Sequence, residues 1–192
     1  MEYRLHTVMA SGLIRTRSGQ TCPTHPRPLE ARAKLKVVVR SRVCIAYWEK
    51  RLSEVHQGGC LCGAVRYRTK GEPAASIVCH CKACQHRTGS AFGVGVYFSK
   101  DQVEFLSGEL TTFQFESSET GRWFRNEFCT KCGTTVTWTL EMRPDDRGIA
   151  SGTFDEAGWH AIDRHIWTGS AHPWVIHPDD AVVLEGGSPP AT

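Results

Sequence analysis

Seven cysteines stand in three short clusters: Cys60-Leu-Cys62-Gly63, Cys79-His-Cys81-Lys-Ala-Cys84 and Cys129-Thr-Lys-Cys132-Gly133. Thiolate sulfur is a soft donor, and paired cysteines at this spacing across a long insert form a zinc pattern. The first and third clusters bring two sulfurs each, so Cys60, Cys62, Cys129 and Cys132 complete a tetrahedral shell. The middle cluster brings three, Cys79, Cys81 and Cys84, and leaves one coordination position over. Four protein ligands make a structural zinc site, while three and a vacancy make a catalytic one. The expectation is two Zn2+ per chain. Buried free cysteines and an iron–sulfur centre are the alternatives for the metal. Closure of the second site by His80, an acidic side chain or a distant ligand is the alternative to its being open.

The two sites differ in the chemistry they offer. A dication with three thiolates carries a net charge of −1, which makes it a poorer Lewis acid than a histidine-bound zinc. It is suited to holding an exogenous thiol as thiolate. A small thiol such as glutathione can fill the vacancy and attack an electrophilic carbon. Backbone geometry allows both sites. Residues two apart in an extended chain point the same way, so Cys60 faces with Cys62 and Cys79 with Cys81, while His80 points away. A turn through Lys82-Ala83 brings Cys84 round. Gly63 and Gly133 can take the left-handed conformation that ends a knuckle.

The elements that carry these clusters read as β from Gly58 onward. Val65 and Tyr67 alternate with Arg66 and Arg68, and Val94, Val96 and Phe98 with small or polar neighbours. Val103 with Phe105, Phe113 with Phe115, and Val136, Trp138 and Leu140 against three threonines repeat the period of two that marks half-buried strands. Ser107-Gly108 reads as a hairpin turn and Thr120-Gly121 as a loop. Lys82–Thr88 and Asp155–His160 read as short helical turns. Asp145-Asp146 and Asp179-Asp180 read as turn and cap residues. A domain of this size buries about two-thirds of its unfolded surface, so metal is not needed merely to offset small size.

The chain has 192 residues and a formal charge of +3, unevenly distributed. Residues 1–55 carry eleven Lys/Arg against four Asp/Glu, a net of +7, and residues 56–192 carry twelve against sixteen, a net of −4. The mildly acidic second part argues against a nucleic-acid surface there. No apolar run is long enough to span a bilayer. Nine cysteines is an odd number, with knuckle spacings rather than a disulfide framework, so a reducing cytoplasm is expected.

Two segments follow: a basic extension, 1–55, and a cysteine-rich domain, 56–192. The extension is rich in Arg and Ser, is broken by Pro between Cys22 and Pro28, and holds Cys22 and Cys44 without partners. It reads as a basic arm, a transit-like peptide or, preferably, upstream sequence from a misassigned start, with Val55-His-Gln-Gly-Gly-Cys60 as the natural beginning.

Three stretches carry a family resemblance: Gly58–Tyr67 (GGCLCGAVRY), Cys79–Phe92 (CHCKACQHRTGSAF) and Phe128–Thr134 (FCTKCGT). Together they resemble the glutathione-dependent formaldehyde-activating enzyme family, which includes centromere protein V-like members. The resemblance spans about residues 56–185, with His165-Ile-Trp and Pro173-Trp-Val similar to the family's C-terminal region. It implies a mainly β, Mss4-like (β-tent) single domain with two zinc ions. Cys60, Cys62, Cys129 and Cys132 would be the structural ligands, and Cys79, Cys81 and Cys84 would hold the catalytic zinc. The implied activity is that of a carbon–sulfur lyase joining glutathione to formaldehyde as S-hydroxymethylglutathione. Thr88–Phe92 matches the stretch that shapes the pocket wall.

Arg87, Arg122 and Arg125 are the cationic candidates for glutathione's carboxylates. Trp123, Trp138, Trp159, Trp167 and Trp174 divide between core packing and pocket lining. His160, His165, His172 and His177 lie at irregular spacings and read as loop residues rather than a metal tract. No Gly-rich phosphate loop or Ser-His-Asp order is present. Two rival readings remain. One is a zinc-stabilised binding module without turnover, like the chromatin-associated members. The other is a redox domain, which would need a free catalytic cysteine that residues 56–192 lack.

Overall fold

The computed structural model describes residues 53–188 and, before them, three short strands: β1 (Val8–Met9), β2 (Leu13–Arg15) and β3 (Thr21–Pro23). The chain divides into two compact units, residues 51–190 and the remainder. In the smaller unit β1, β2 and β3 pair in that order as an antiparallel sheet. Cys22 falls on β3. Cys44 and the rest of the basic extension up to residue 52 lie outside the described residues.

The larger unit is mainly β, as expected. A three-stranded antiparallel sheet contains β4 (Val55–Gly59), β5 (Arg66–Lys70) and β8 (Val103–Ser107), in the order β4-β5-β8. A seven-stranded sheet contains β6 (Ala75–Cys79), β7 (Gly93–Ser99), β9 (Leu110–Glu116), β10 (Trp123–Cys129), β11 (Thr135–Leu140), β12 (Arg143–Ala150) and β13 (Arg164–Ile166). Its order is β13-β6-β7-β12-β11-β10-β9, antiparallel except for the parallel pair β13–β6. A helix, α1 (Lys82–Thr88), follows β6 over the residues read as helical from the sequence.

The small sheet packs on one face of the large one. Val65 and Tyr67 from its side meet Val96, Phe98, Val136 and Ile149 in a buried cluster, closed by Phe154 and by the partly buried Val103, Phe105 and Trp159. The alternation at 65–68, 94–98 and 103–105 therefore marks true inward faces. In β7, Val96 and Phe98 enter this core while Gly93, Gly95 and Tyr97 face a cavity on the opposite side.

Four expectations are corrected. Ser107-Gly108 is not a hairpin turn, because β8 pairs with β5 while β9 pairs with β10. The chain crosses between sheets there, with Gly108 at φ 85 so close to Ala64 that a Cβ would meet its carbonyl oxygen at 2.4 Å. Asp155–His160 forms bends and a turn, and a 3-10 turn lies just before it at Ser151–Thr153. Asp145 and Asp146 lie within β12, where Asp146 pairs with Arg143 at 2.6 Å.

The fourth correction concerns Val136, Trp138 and Leu140, which do not share one face. Phe128 pairs with Thr135 but Glu127 pairs with Thr137, so β11 carries one extra residue, a β-bulge at Val136. Past a bulge the side-chain alternation changes phase. Val136 consequently joins the core, whereas Trp138 and Leu140 line the cavity. Val136 to Thr139 are all buried, and Thr137 satisfies its hydroxyl by donating to the Gly148 carbonyl at 2.8 Å.

Trp138 needs space that its neighbours supply. A Cβ built on Gly148 would lie 2.3 Å from the Trp138 indole nitrogen, and one on Gly95 would lie 2.6 Å from the ring. Glycine inside a strand marks such a close approach. We expect Gly148→Ala to cost about 1–3 kcal/mol of stability in urea denaturation through overpacking. Adding Trp138→Leu should recover part of that loss, whereas a purely local backbone effect of alanine would leave the loss unchanged.

Candidate functional site

The first cysteine group is built by two hairpin tips, one from each sheet. Cys60 and Cys62 lie in the β4–β5 turn, and Cys129 and Cys132 in the β10–β11 turn. In the first, Gly63 at φ 74 donates its N–H to the Cys60 carbonyl at 3.0 Å; in the second, Gly133 at φ 71 does the same to Cys129 at 3.0 Å. The two turns are alike in ending on a left-handed glycine, but the first closes over three residues and the second over four. Val65 N–H donates to Cys60 Sγ (3.2 Å) and Lys131 N–H to Cys129 Sγ (3.4 Å). The Thr134 hydroxyl and N–H pull Cys132 down to about 5. Leu61 N–H also donates to Thr134 Oγ1 at 3.2 Å, which joins the two tips.

All four sulfurs lie within 4.8 Å of one another, with Cys60–Cys62 at 3.5 Å and Cys62–Cys129 at 3.8 Å. A tetrahedral zinc with ~2.3 Å bonds to sulfur requires ligand separations of about 3.8 Å. The donor set, the spacing and the N–H groups aimed at sulfur all fit a zinc ion.

The second group forms where β6 passes into α1. Cys79 ends the strand, Cys81 is the N-cap of the helix and Cys84 lies in its first turn. Cys84 N–H donates to Cys81 Sγ at 3.4 Å, so a sulfur does the work of a cap side chain. The three sulfurs lie within 4.8 Å of one another. Hydrogen bonds from the Cys79 and Cys81 thiols hold Cys84 well below the ordinary thiol range against its burial, helped by the Arg87 guanidinium. Among the described residues no further cysteine, histidine or carboxylate joins this group. His80 is turned away from it, as strand alternation requires, and stands with His165 and His177 instead.

The second group borders a cavity. A cavity of about 110 Å³ is lined by Cys79, Cys81 and Cys84, and by no cysteine of the first group. Its walls are aromatic: Tyr97, Phe115, Trp123, Phe124, Trp138 and Trp167. Trp138 donates its indole N–H to the Tyr97 hydroxyl at 3.2 Å. Burial raises the Tyr97 phenol above its ordinary range, so it stays protonated.

Of the three candidate arginines, Arg87 and Arg122 line this cavity and Arg125 does not. Arg87 lies over the Trp138 ring at 4.2 Å and the Phe124 ring at 5.6 Å, and its Nε is buried without a hydrogen-bond partner. Gly93 opposite leaves it room, since a Cβ there would meet its guanidinium at 2.8 Å. Arg125 lies along β10, bonded to Gln114 Oε1 at 3.1 Å.

Four of the tryptophans divide between the two readings, and Trp174 fits neither. Trp123, Trp138 and Trp167 line the cavity, Trp159 packs against the core and Trp174 is exposed. Thr88–Phe92 does not line the cavity. Thr88 bonds back to the Cys84 carbonyl at 2.8 Å, Gly89 at φ 62 ends α1, and Phe92 packs edge-on against His80. Tyr97 was missed in the sequence as a cavity residue. Its signal was the β7 alternation, whose polar phase is the cavity face.

The sequence matches the glutathione-dependent formaldehyde-activating enzyme family over residues 55–170, and the chain belongs to that family. It is also similar to a crystal structure of a Rhodobacter sphaeroides protein, at 19% identity and a TM-score of 0.43, over 67% of this chain and 98% of that one. No helix among the described residues is long and apolar enough to cross a membrane.

The two cysteine groups should respond differently to loss of a ligand. Structural zinc contributes about 10–16 kcal/mol in small finger peptides, against about 5–15 kcal/mol of net stability for a domain. Cys129→Ser is expected to abolish cooperative melting or drive aggregation. Cys84→Ser should keep a cooperative transition in calorimetry while lowering metal content by one ion per chain.

Proposed function

We propose that this chain is a zinc-dependent carbon–sulfur lyase that joins glutathione, or a similar small thiol, to formaldehyde or a related aldehyde in a reducing cytoplasm. The observation that carries this reading is the contrast between the cysteine groups: four converging sulfurs away from the cavity, three converging sulfurs on its wall. A zinc ion held by Cys79, Cys81 and Cys84 would supply a position at which an exogenous thiol binds as thiolate. Cys60, Cys62, Cys129 and Cys132 would hold a second, structural zinc. In the overall reaction a C–S bond forms between the thiol sulfur and the aldehyde carbon, and the thiol proton ends on the former carbonyl oxygen. The product is a hemithioacetal, S-hydroxymethylglutathione when the partners are glutathione and formaldehyde.

The chain's own groups have separable parts in this. Arg87, pinned between aromatic faces beside Cys84, brings fixed positive charge to the sulfurs where an anionic thiolate would arrive. Arg122, exposed on the cavity rim, is suited to a carboxylate of the tripeptide. Arg125 is the weaker candidate, being committed to Gln114. The protonated Tyr97 hydroxyl offers a donor to an oxygen that becomes negative during addition. The aromatic walls limit water at a site whose aldehyde substrate is readily hydrated.

Two tests bear on this reading. Glutathione titrated into cobalt-substituted protein should change the thiolate-to-metal charge-transfer bands, and an unchanged spectrum would favour a binding module without turnover. Arg122→Ala should raise the apparent glutathione dissociation constant roughly tenfold, the loss of about 1.4 kcal/mol expected for a charge-assisted contact. Equal affinities for the variant and the parent would remove Arg122 from the site.

A further inference from the structure

Three histidines distant in the chain meet at one point. His80 follows β6, His165 lies in β13, and His177 belongs to the segment after it. His80 Nε2 lies 3.2 Å from His165 Nδ1, and His177 Nδ1 lies 3.2 Å from the same atom. All three donor nitrogens fall within 4.8 Å of one another.

The backbone holds these rings in place. His80 N–H donates to the Ile166 carbonyl at 3.0 Å, and Gln85 Nε2 holds the His80 carbonyl at 2.8 Å while also reaching Ser170. His165 is paired on one side with Val78 of β6 and on the other with residues 182–184, through bonds of 2.8 and 2.9 Å.

Hydrogen bonding among the rings does not explain the arrangement. A ring nitrogen offers either one proton or one lone pair, so His165 Nδ1 serves one neighbour well and must split itself to serve two. His80 is fully buried and its Nδ1 has no hydrogen-bond partner. Its side chain thus gains one shared contact in return for complete desolvation, a worse outcome than an apolar residue would have. A cation at the common point satisfies three lone pairs together. The spacing agrees, because a tetrahedral zinc with bonds of ~2.0–2.1 Å places its nitrogen ligands about 3.3 Å apart.

We propose that His80, His165 and His177 form a third metal site, separate from both cysteine groups. An all-imidazole donor set selects a divalent first-row transition ion such as zinc, copper or nickel over magnesium or calcium. None of the three histidines lines the cavity, so the site does not depend on the catalytic reading of the sulfur triad. Its ligands tie the segment around His177 to the β13–β6 edge of the large sheet. The stretch Cys79-His80-Cys81 then serves two ions from opposite sides of one extended chain.

Cobalt(II) tests this on the full chain. Metal-free protein is loaded under anaerobic conditions, the bound cobalt is counted, and the sulfur-to-cobalt charge-transfer absorbance is recorded. His177→Ala should bind one equivalent less than the parent with that absorbance unchanged, and His177→Asp should restore the equivalent through a carboxylate. His177→Gln, which keeps bulk and polarity, reads the same difference if alanine unfolds the chain. Equal cobalt counts in parent and variants would overturn the proposal. A loss accompanied by reduced charge-transfer absorbance would also overturn it, since the missing ion would then be a sulfur-bound one. Failure of the sulfur triad to bind metal would show separately, as weak charge transfer in the parent, with the histidine difference intact.

Discussion

The convergence of four sulfurs from two hairpin tips is the constraint on which the rest of the larger unit depends. One tip belongs to the small sheet and the other to the large sheet, so this is where the two sheets are joined at their ends. Cys60 and Cys129 are also members of the buried cluster between the sheets. Setting the knuckles therefore sets how Val65 and Tyr67 meet Val96, Phe98 and Ile149. The crossing at Gly108 runs close by, with Ser107 bonded to the Ala64 carbonyl at 3.1 Å and Thr130 to Glu109. Core, crossing and knuckles form one connected region, and the opposite face of the large sheet is left free for other work.

That opposite face holds the cavity and the sulfur triad. β7 divides its residues cleanly, with Val96 and Phe98 for the core and Tyr97 with two glycines for the cavity. Gly95 is needed because Trp138 occupies the room a side chain would take, and Gly93 because the Arg87 guanidinium does. Arg87 then lies on the indole beside the lowest of the three thiols. A half-buried cation against aromatic faces is costly to desolvate, and its position over Trp138 and Phe124 offsets part of that cost. Fixed charge, aromatic wall and sulfur triad are thus products of the same strand packing.

Much of this was legible in the sequence, for identifiable reasons. Cysteine spacing is a local property, so the division of seven sulfurs into four and three could be read without coordinates. Strand phase was readable where alternation ran unbroken, at 65–68 and 94–98. It failed at β11, where Val136 and Trp138 look equivalent in a period of two and an inserted residue in the pairing separates them. β12 was hidden because Asp145 and Asp146 resemble turn residues, and their strand is held by pairing with β7 and β11 rather than by local preference. The Ser107-Gly108 step carries the signature of a turn, and nothing nearby in sequence says which sheet comes next. The meeting of His80 with His165 and His177 was invisible for a related reason. It rests on a parallel strand pair, β6 with β13, between segments some 85 residues apart.

The extra residue in β11 also has a meaning for how this protein can change. It shifts the phase of one strand near its start, so that Val136 packs in the hydrophobic interior while Trp138 and Leu140 wall the cavity. Substitutions at Trp138 and Leu140 can reshape the cavity without passing through the packing that Val136 secures. Removing Val136 would restore an unbroken alternation, with Trp138 still on the cavity face and one side chain lost from the interior.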